Sequence, residues 1–199
     1  GVGGYSAGPV LLMAAFLGIP TVIHEQNVHP GFTNRVLSRF VDRVATSFPQ
    51  TIESFPADKT SVTGNPLRRS FLNTQKSSKR PASDDLTLFI MGGSRGARNI
   101  NSAVIEALPL ISTWEEPVRF IHQTGEEDYD RVSAAYSTAH LRAEVRPYFH
   151  DIARCYGEAD LVLARAGATT LAELMACGKA SILVPFAHAT GGHQEANAM

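Results

Sequence analysis

The chain has 199 residues, 44% hydrophobic and 19% charged, which leaves enough apolar surface to offset ordering entropy and excludes a disordered chain. Lysine plus arginine number 18 against 19 aspartates plus glutamates, a net charge of -1, so no polybasic field exists for general nucleic-acid binding. The longest clean apolar run, Val10 to Leu17, falls far short of the roughly 20 residues of a spanning helix. Two cysteines, Cys155 and Cys177, are too few for a disulfide scaffold or a four-ligand metal site, which makes a reducing cytoplasm the default.

The chain opens on Gly1-Val2-Gly3-Gly4-Tyr5, a strand-to-helix type of glycine loop, and stops at Asn197-Ala198-Met199 within what reads as the first turns of a helix. A piece of a longer protein is expected. Pro9 suits the first turn of a helix through Leu17, and Gly18 stops it. Pro20 to His24 reads as a short buried strand. Gly31 to Phe40 predicts a helix with Phe32, Val36, Leu37 and Phe40 on one face. Arg43 to Ser47 and Thr60 to Thr63 are two further strands, and Asn65 to Asp85, rich in Pro, Ser, Lys and Arg, is the best linker candidate.

Beyond it the alternation restarts. Leu86 to Met91 is a strand entering Gly92-Gly93-Ser94-Arg95-Gly96-Ala97, with a helix following to about Ile111. Val118 to His122 is a strand, Glu126 to Ala139 a helix, Val145 to Phe149 a strand end. Asp151 to Tyr156 predicts a short helix stopped by Gly157. Asp160 to Ala164 is a strand, Ala168 to Cys177 a helix capped by Gly178, and Ser181 to Val184 a last strand. Such alternation argues for parallel α/β sheets with right-handed crossovers. A faint echo at an offset of 160 aligns Ser6-Ala7-Gly8, Leu11, Gly18 and Val22 with Ala166-Gly167-Ala168, Leu171, Gly178 and Ile182. With the central linker, it favours two facing Rossmann-like domains, ligands binding at the carboxyl ends of their strands.

The loop Gly92 to Ala97 is the strongest chemical signal. Its glycines let the backbone approach a ligand, and the following helix offers free N–H groups and its positive end. Ser94 adds a hydroxyl, and Arg95 or Arg98 a cation. A diphosphate fits; a tight turn without ligand is the alternative. No Gly-Lys-Ser/Thr follows, so this is not a P-loop, and the spacing does not match the dinucleotide fingerprint. A second loop, Arg165 to Thr170, also leads into a helix, with Glu173 on its first turns. That carboxylate suits a ribose diol, and Thr169 and Thr170 suit phosphate or sugar. Against this stand a dipole-compensating surface acid and simple capping threonines.

His24-Glu25-Gln26-Asn27 places four polar groups at a strand's carboxyl end. His24 reads as a general base, a donor to a sugar, or a structural histidine. Arg68, in Gly64-Asn65-Pro66-Leu67-Arg68-Arg69, reads as a phosphate ligand or a solvated hinge residue. His193 and Gln194, near His188 and after Gly191-Gly192, read as ligands of sugar hydroxyls or as a polar first helical turn. No metal-ligand spacing is present, and no Gly-x-Ser-x-Gly nucleophile elbow occurs.

Six segments occur in one order: Gly3-Gly4-Tyr5-Ser6-Ala7-Gly8-Pro9, His24-Glu25-Gln26-Asn27, Gly64-Asn65-Pro66-Leu67-Arg68, Gly92-Gly93-Ser94-Arg95-Gly96-Ala97, Ala166 to Glu173, and His193-Gln194-Glu195-Ala196-Asn197-Ala198. In that order they resemble the MurG family, bacterial UDP-N-acetylglucosamine:undecaprenyl-pyrophosphoryl-MurNAc-pentapeptide GlcNAc transferases of peptidoglycan synthesis. The resemblance runs the length of the chain. It implies a GT-B α/β fold, with 1–69 part of an acceptor, membrane-associated domain and 70–199 most of a UDP-GlcNAc domain. It further implies metal-free, inverting transfer of GlcNAc from UDP-GlcNAc to the C4 hydroxyl of the MurNAc of lipid I, giving lipid II, at the cytoplasmic face of the membrane.

By motif, the resemblance puts Ser94 with Gly92, Gly93 and Gly96 on the diphosphate, Arg68 assisting. Ala168, Thr169, Thr170 and Glu173 would hold the nucleotide, Glu173 on the ribose, and Phe149 would meet uracil through its backbone. His193 and Gln194 would read GlcNAc, Asn27 would contact the sugar, and His24 is the candidate base or acceptor-orienting group. The family's first glycine-rich loop, with its own histidine, lies before the matched region, so His24 is not the sole candidate base. Gly191-Gly192 stands where an acidic or amide pair is usual. Two alternatives are another lipid-acceptor transferase of the same fold, such as a diacylglycerol glycosyltransferase, and a non-catalytic nucleotide-sugar-binding subunit.

Overall fold

Strand and helix alternate as the hydrophobic pattern requires, in a computed structural model that describes residues 1–74, 85–186 and 192–199. Residues 75–84 of the expected linker, along with His188 and Gly191, lie outside the described residues. The chain divides into two units. One comprises Gly1–Pro66, Gly167–Ala172 and Phe186–Met199, the other Leu67–Ala166 and Glu173–Pro185.

In the first unit, β1 (Val22–Glu25), β2 (Arg43–Thr46) and β3 (Thr60–Val62) form a parallel sheet in that order, with Ile23 opposite Val44 and Val44 opposite Thr60. Helices α1 (Ala7–Phe16) and α2 (Phe32–Leu37) precede and follow β1. Ile23, Leu37, Val41, Val44 and Phe55 make the core, with Leu11 and Leu12 against it. Two 3-10 turns, Pro49–Ser54 and Ala57–Lys59, join β2 to β3; the sequence reading contains neither. The expected face of α2 is corrected. Phe32 and Phe40 are exposed, and the inward positions are Asn34 and Leu37. Asn34 turns in because its amide donates to Glu25 Oε2 at 2.8 Å and to the His24 carbonyl.

In the second unit, β4 (Leu86–Met91), β5 (Val118–Gln123), β6 (Ala143–Arg146), β7 (Leu161–Ala164) and β8 (Ala180–Leu183) form a parallel sheet ordered β6-β5-β4-β7-β8. The chain steps outward from β4 to β6, then returns to β4's other side, so the order reverses between β4 and β7. In open α/β sheets this switch point is where ligands bind. Phe89 and Ile90, adjacent on β4, are both fully buried, as expected for a parallel strand covered on both faces. Ile90 packs with Ile100, Val104 and Leu108 of α4 (Arg98–Ile111) and Val132 and Tyr136 of α5 (Tyr129–Thr138). Phe89 meets Tyr156 of α6 (Ile152–Glu158) edge-on, with ring centroids 5.4 Å apart.

Helix α7 (Ala168–Cys177) follows β7, and α8 (His193–Ala198) closes the chain. Gly18 and Gly178 end α1 and α7 alike. Each takes a positive φ, +68° and +60°, and each gives the paired bonds of a Schellman motif: Gly18 and Ile19 to the Ala15 and Ala14 carbonyls, Gly178 and Lys179 to those of Met175 and Leu174. Three expectations change. The linker candidate begins with a helix, α3 (Arg69–Thr74), because Phe71 is buried against Tyr156. Strand β6 lies earlier than expected and ends before Pro147, which cannot donate to a ladder. Helix α6 passes through Gly157 to Glu158, with Arg154 and Glu158 paired across that turn at 2.8 Å.

Candidate functional site

At the end of β4 the chain turns through Gly92 to Ala97 into α4. Gly93 and Gly96 have φ of +96° and +77°, and a Cβ on Gly96 would run into the Thr124 carbonyl. Only glycine allows that crossing. Ser94, Arg95 and Arg98 are exposed. The N-cap of α4 is Ala97, whose side chain caps nothing, and the first turn carries no acidic residue. Serine, threonine, aspartate or asparagine is the usual occupant of such a position. The amide groups and positive end of a 14-residue helix therefore have no side-chain cap from their own N-cap residue, which suits an anion.

A buried polar network fixes the wall behind this loop. Asn101 of α4 donates from Nδ2 to the Thr124 carbonyl (2.9 Å) and to Asp128 Oδ2 (2.8 Å). Its Oδ1 therefore accepts, and His122 Nε2–H donates to it at 3.1 Å. That fixes the tautomer, so His122 Nδ1 accepts the Tyr136 hydroxyl, also at 3.1 Å. His122 is fully buried, and burial drives its pKa from 6.5 down to about 4, with the Asp128 charge opposing. Beside it, buried Gln123 donates to the Gly93 carbonyl (3.0 Å) and accepts from the Phe149 amide (2.9 Å). None of these roles was read from the sequence. Polar residues ending a hydrophobic strand, at His122-Gln123-Thr124, were the available signal.

Glu173 lies on α7, and it is only 7% exposed, so the surface-acid reading is overturned. Its Oε2 accepts the Tyr156 hydroxyl at 3.1 Å. Burial raises its pKa, while the Tyr156 hydrogen bond and the charge of Arg68 pull it back. Arg68 itself is exposed. Ala168 is buried, Thr169 exposed and Thr170 half-buried at the start of α7, and Thr169 Oγ1 accepts from Asn65 Nδ2 at 3.3 Å. Phe149 is buried, edge-on to Phe89 at 6.5 Å. Because Gln123 already takes its N–H, Phe149 has only its carbonyl to offer a base.

In the first unit, Glu25 is a loop organiser. Its carboxylate accepts from Asn27 N (3.0 Å) and Nδ2 (3.3 Å), Gly31 N (3.0 Å) and Asn34 Nδ2 (2.8 Å). Asn27 Oδ1 accepts from Asn197 Nδ2 at 3.1 Å, and Asn197 Oδ1 accepts from Val28 N at 3.0 Å. His24 Nε2–H donates to the Gly64 carbonyl at 3.1 Å; the proton is on Nε2 because a carbonyl can only accept. Nδ1 is buried and has no hydrogen-bond partner among the described residues.

Asn27 and His193 line one cavity of about 600 Å³ with Gly3, Gly4, Tyr5 and Phe32. The structure thus brings these two predicted sugar ligands together, whereas Gln194 Oε1 is taken by the Phe186 amide at 2.8 Å. Gly192 begins α8 at φ +64°, a conformation that explains a glycine where an acid or amide was anticipated. Among the described residues, no group of three or more His, Cys, Asp or Glu is placed to hold a metal. No described helix is long and apolar enough to cross a membrane.

A parallel sheet with a glycine loop and a helix N-terminus at its switch point defines an α/β protein of the Rossmann-like class. The chain belongs to glycosyltransferase family 28, whose C-terminal domain matches residues 87–199 and whose N-terminal domain matches residues 1–46.

It is 48% identical over 198 residues to a protein of Syntrophus aciditrophicus (strain SB), across 100% of this chain and 55% of the relative. That protein is named UDP-N-acetylglucosamine--N-acetylmuramyl-(pentapeptide) pyrophosphoryl-undecaprenol N-acetylglucosamine transferase. A protein of the same name from Myxococcus xanthus (strain DK1622) is 46% identical over 198 residues, across 100% of this chain and 51% of that one. The crystal structure of Acinetobacter baumannii MurG matches with a TM-score of 0.77 at 40% identity, covering 100% of this chain and 55% of that one. The resemblance drawn from the six motifs is borne out, and the parallel α/β fold is that of the GT-B class. The chain spans about half the length of the curated relatives it matches.

Proposed function

We propose that the protein carrying this chain transfers GlcNAc from UDP-GlcNAc to the MurNAc C4 hydroxyl of lipid I, inverting the anomeric centre and forming lipid II. The observation that carries this reading is the identity, 48% across the whole chain, to a transferase whose name states that donor and acceptor type. The local geometry supports the donor half. A departing UDP needs its charge met as the anomeric C–O bond breaks, and amides aimed at a fixed point do so without reorganisation. Gly92, Gly93, Gly96 and Ser94, at the uncapped end of α4, would serve the diphosphate without a metal, with Arg68 assisting.

Glu173 would accept from the ribose hydroxyls, Ala168, Thr169 and Thr170 would contact the nucleotide, and Phe149 would offer uracil its carbonyl. Asn27 and His193 would hold sugar hydroxyls, with Gln194 as their neighbour. His24 would orient the acceptor or take its proton. Residues 1–69 would serve the acceptor and 70–199 the donor. A polyprenyl-linked acceptor would place the reaction at the cytoplasmic membrane surface, with the protein peripheral.

The test is transfer of labelled GlcNAc by the full-length protein to lipid I or to diacylglycerol. Turnover with lipid I alone is expected. Turnover with diacylglycerol, or donor binding without turnover on either acceptor, would replace this reading with one of the two alternatives. Glu173→Ala should weaken UDP-GlcNAc by about 1–3 kcal/mol, as for a lost charged acceptor. Unchanged affinity in calorimetry would refute the ribose assignment.

A further inference from the structure

A carboxylate that must meet two vicinal hydroxyls has to present its oxygens in one orientation, and a glutamate side chain has three torsions to fix. Glu173 is buried on α7, where its neighbours rather than water decide that orientation. Its hydrogen-bond donor is the Tyr156 hydroxyl, 3.1 Å from Oε2. Tyr156 has no exposed surface. Its ring is held edge-on by Phe71 (5.6 Å between centroids, 68° between planes) and by Phe89 (5.4 Å, 81°).

The hydroxyl also lies 3.4 Å from Met91 Sδ, the last residue of β4. A thioether is a weak acceptor, so the proton points to the carboxylate. Phenylalanine would fill this apolar pocket equally well, and a buried hydroxyl is costly unless bonded. What the hydroxyl adds is its bond to Glu173.

We propose that Tyr156 is a positioning residue for Glu173, holding one carboxylate oxygen so that the other faces the ribose diol of the donor; this rests on the donor reading above. The same ring ties together three of the segments named for the donor. Phe71 follows Arg68 by three residues, Phe89 stands on the strand that enters the glycine loop, and Phe89 in turn packs on Phe149. Burial holds the Tyr156 hydroxyl protonated well above its ordinary range, so it remains a donor at every working pH. Among the described residues Oε2 accepts once, so about three of the carboxylate's four lone-pair sites are left for two ribose hydroxyls.

The experiment measures binding of UDP and of 2′-deoxyuridine diphosphate to the full-length protein and to its Tyr156→Phe and Glu173→Gln variants by calorimetry, with circular dichroism to verify folding. Tyr156→Phe should weaken UDP about 3- to 10-fold, the range of one charge-assisted hydrogen bond partly lost, and 2′-deoxyuridine diphosphate by less than about 2-fold. Glu173→Gln should erase most of the preference for UDP. Equal weakening of both nucleotides in Tyr156→Phe would make Tyr156 a packing residue only and overturn the proposal. So would an unchanged preference in Tyr156→Phe when Glu173→Gln has lost it. A preference that survives Glu173→Gln would overturn the ribose reading itself, and the positioning role with it.

Discussion

Moving from pH 7 to pH 5 should destabilise this fold through one side chain, His122. Its imidazole is fully buried, with Nε2–H donated to Asn101 and Nδ1 filled by the Tyr136 hydroxyl. A protonated ring would bury a charge and force the Tyr136 hydroxyl to accept rather than donate. Burial accordingly lowers the pKa to about 4 from 6.5. Between those values the unfolded chain binds the proton and the folded chain does not, so stability falls as pH drops through the window. The full difference corresponds to about 3 kcal/mol, of which about 2 kcal/mol is already lost at pH 5. Asp128, held below the ordinary carboxylate range chiefly by its hydrogen bond from Arg131, acts in the same direction only at lower pH. Urea unfolding followed by circular dichroism at pH 7 and pH 5 measures the loss. His122→Gln keeps a donor and an acceptor but cannot titrate, so its loss over the same interval should be smaller by about 2 kcal/mol. Equal losses in the two proteins would refute the argument.

Gly96→Ala forces a side chain into a left-handed backbone and against the Thr124 carbonyl; a cost of about 3 kcal/mol in urea unfolding is expected, with weaker UDP binding. Ala97→Ser supplies the missing cap of α4 and should stabilise the chain by roughly 0.5–1 kcal/mol. Its hydroxyl competes for the amides assigned to diphosphate, so calorimetry should show UDP binding weakened. Phe71→Ala empties a fully buried ring site beside Tyr156 and should cost about 3–5 kcal/mol, with a native-like midpoint arguing against α3 as part of the core.

The strand, glycine loop and helix that carry the proposed donor site were legible because their pattern is local. Gly92 to Ala97 follows a strand and opens a helix, and both facts are written within about a dozen residues of sequence. Helix ends were legible for the same reason, since Gly18 and Gly178 act on their own chain neighbours. What escaped is made by residues far apart. Tyr156 and Glu173 are 17 positions apart, and Asn101 and His122 are 21. Nothing in the pattern around Tyr156 distinguishes a hydroxyl that orients a carboxylate from one that faces water. Helix α3 was missed because one apolar pair, Phe71-Leu72, among polar residues has no periodicity to announce it, yet Phe71 packs against the very tyrosine that meets Glu173. The motifs are therefore the visible edge of a larger device. Gln123 joins Gly93 to Phe149, Asn101 joins α4 to Thr124, and Tyr156 joins Glu173 to the aromatic core. A substitution in these buried partners should thus disturb donor binding as surely as one in the loop, although none of them carries a motif of its own.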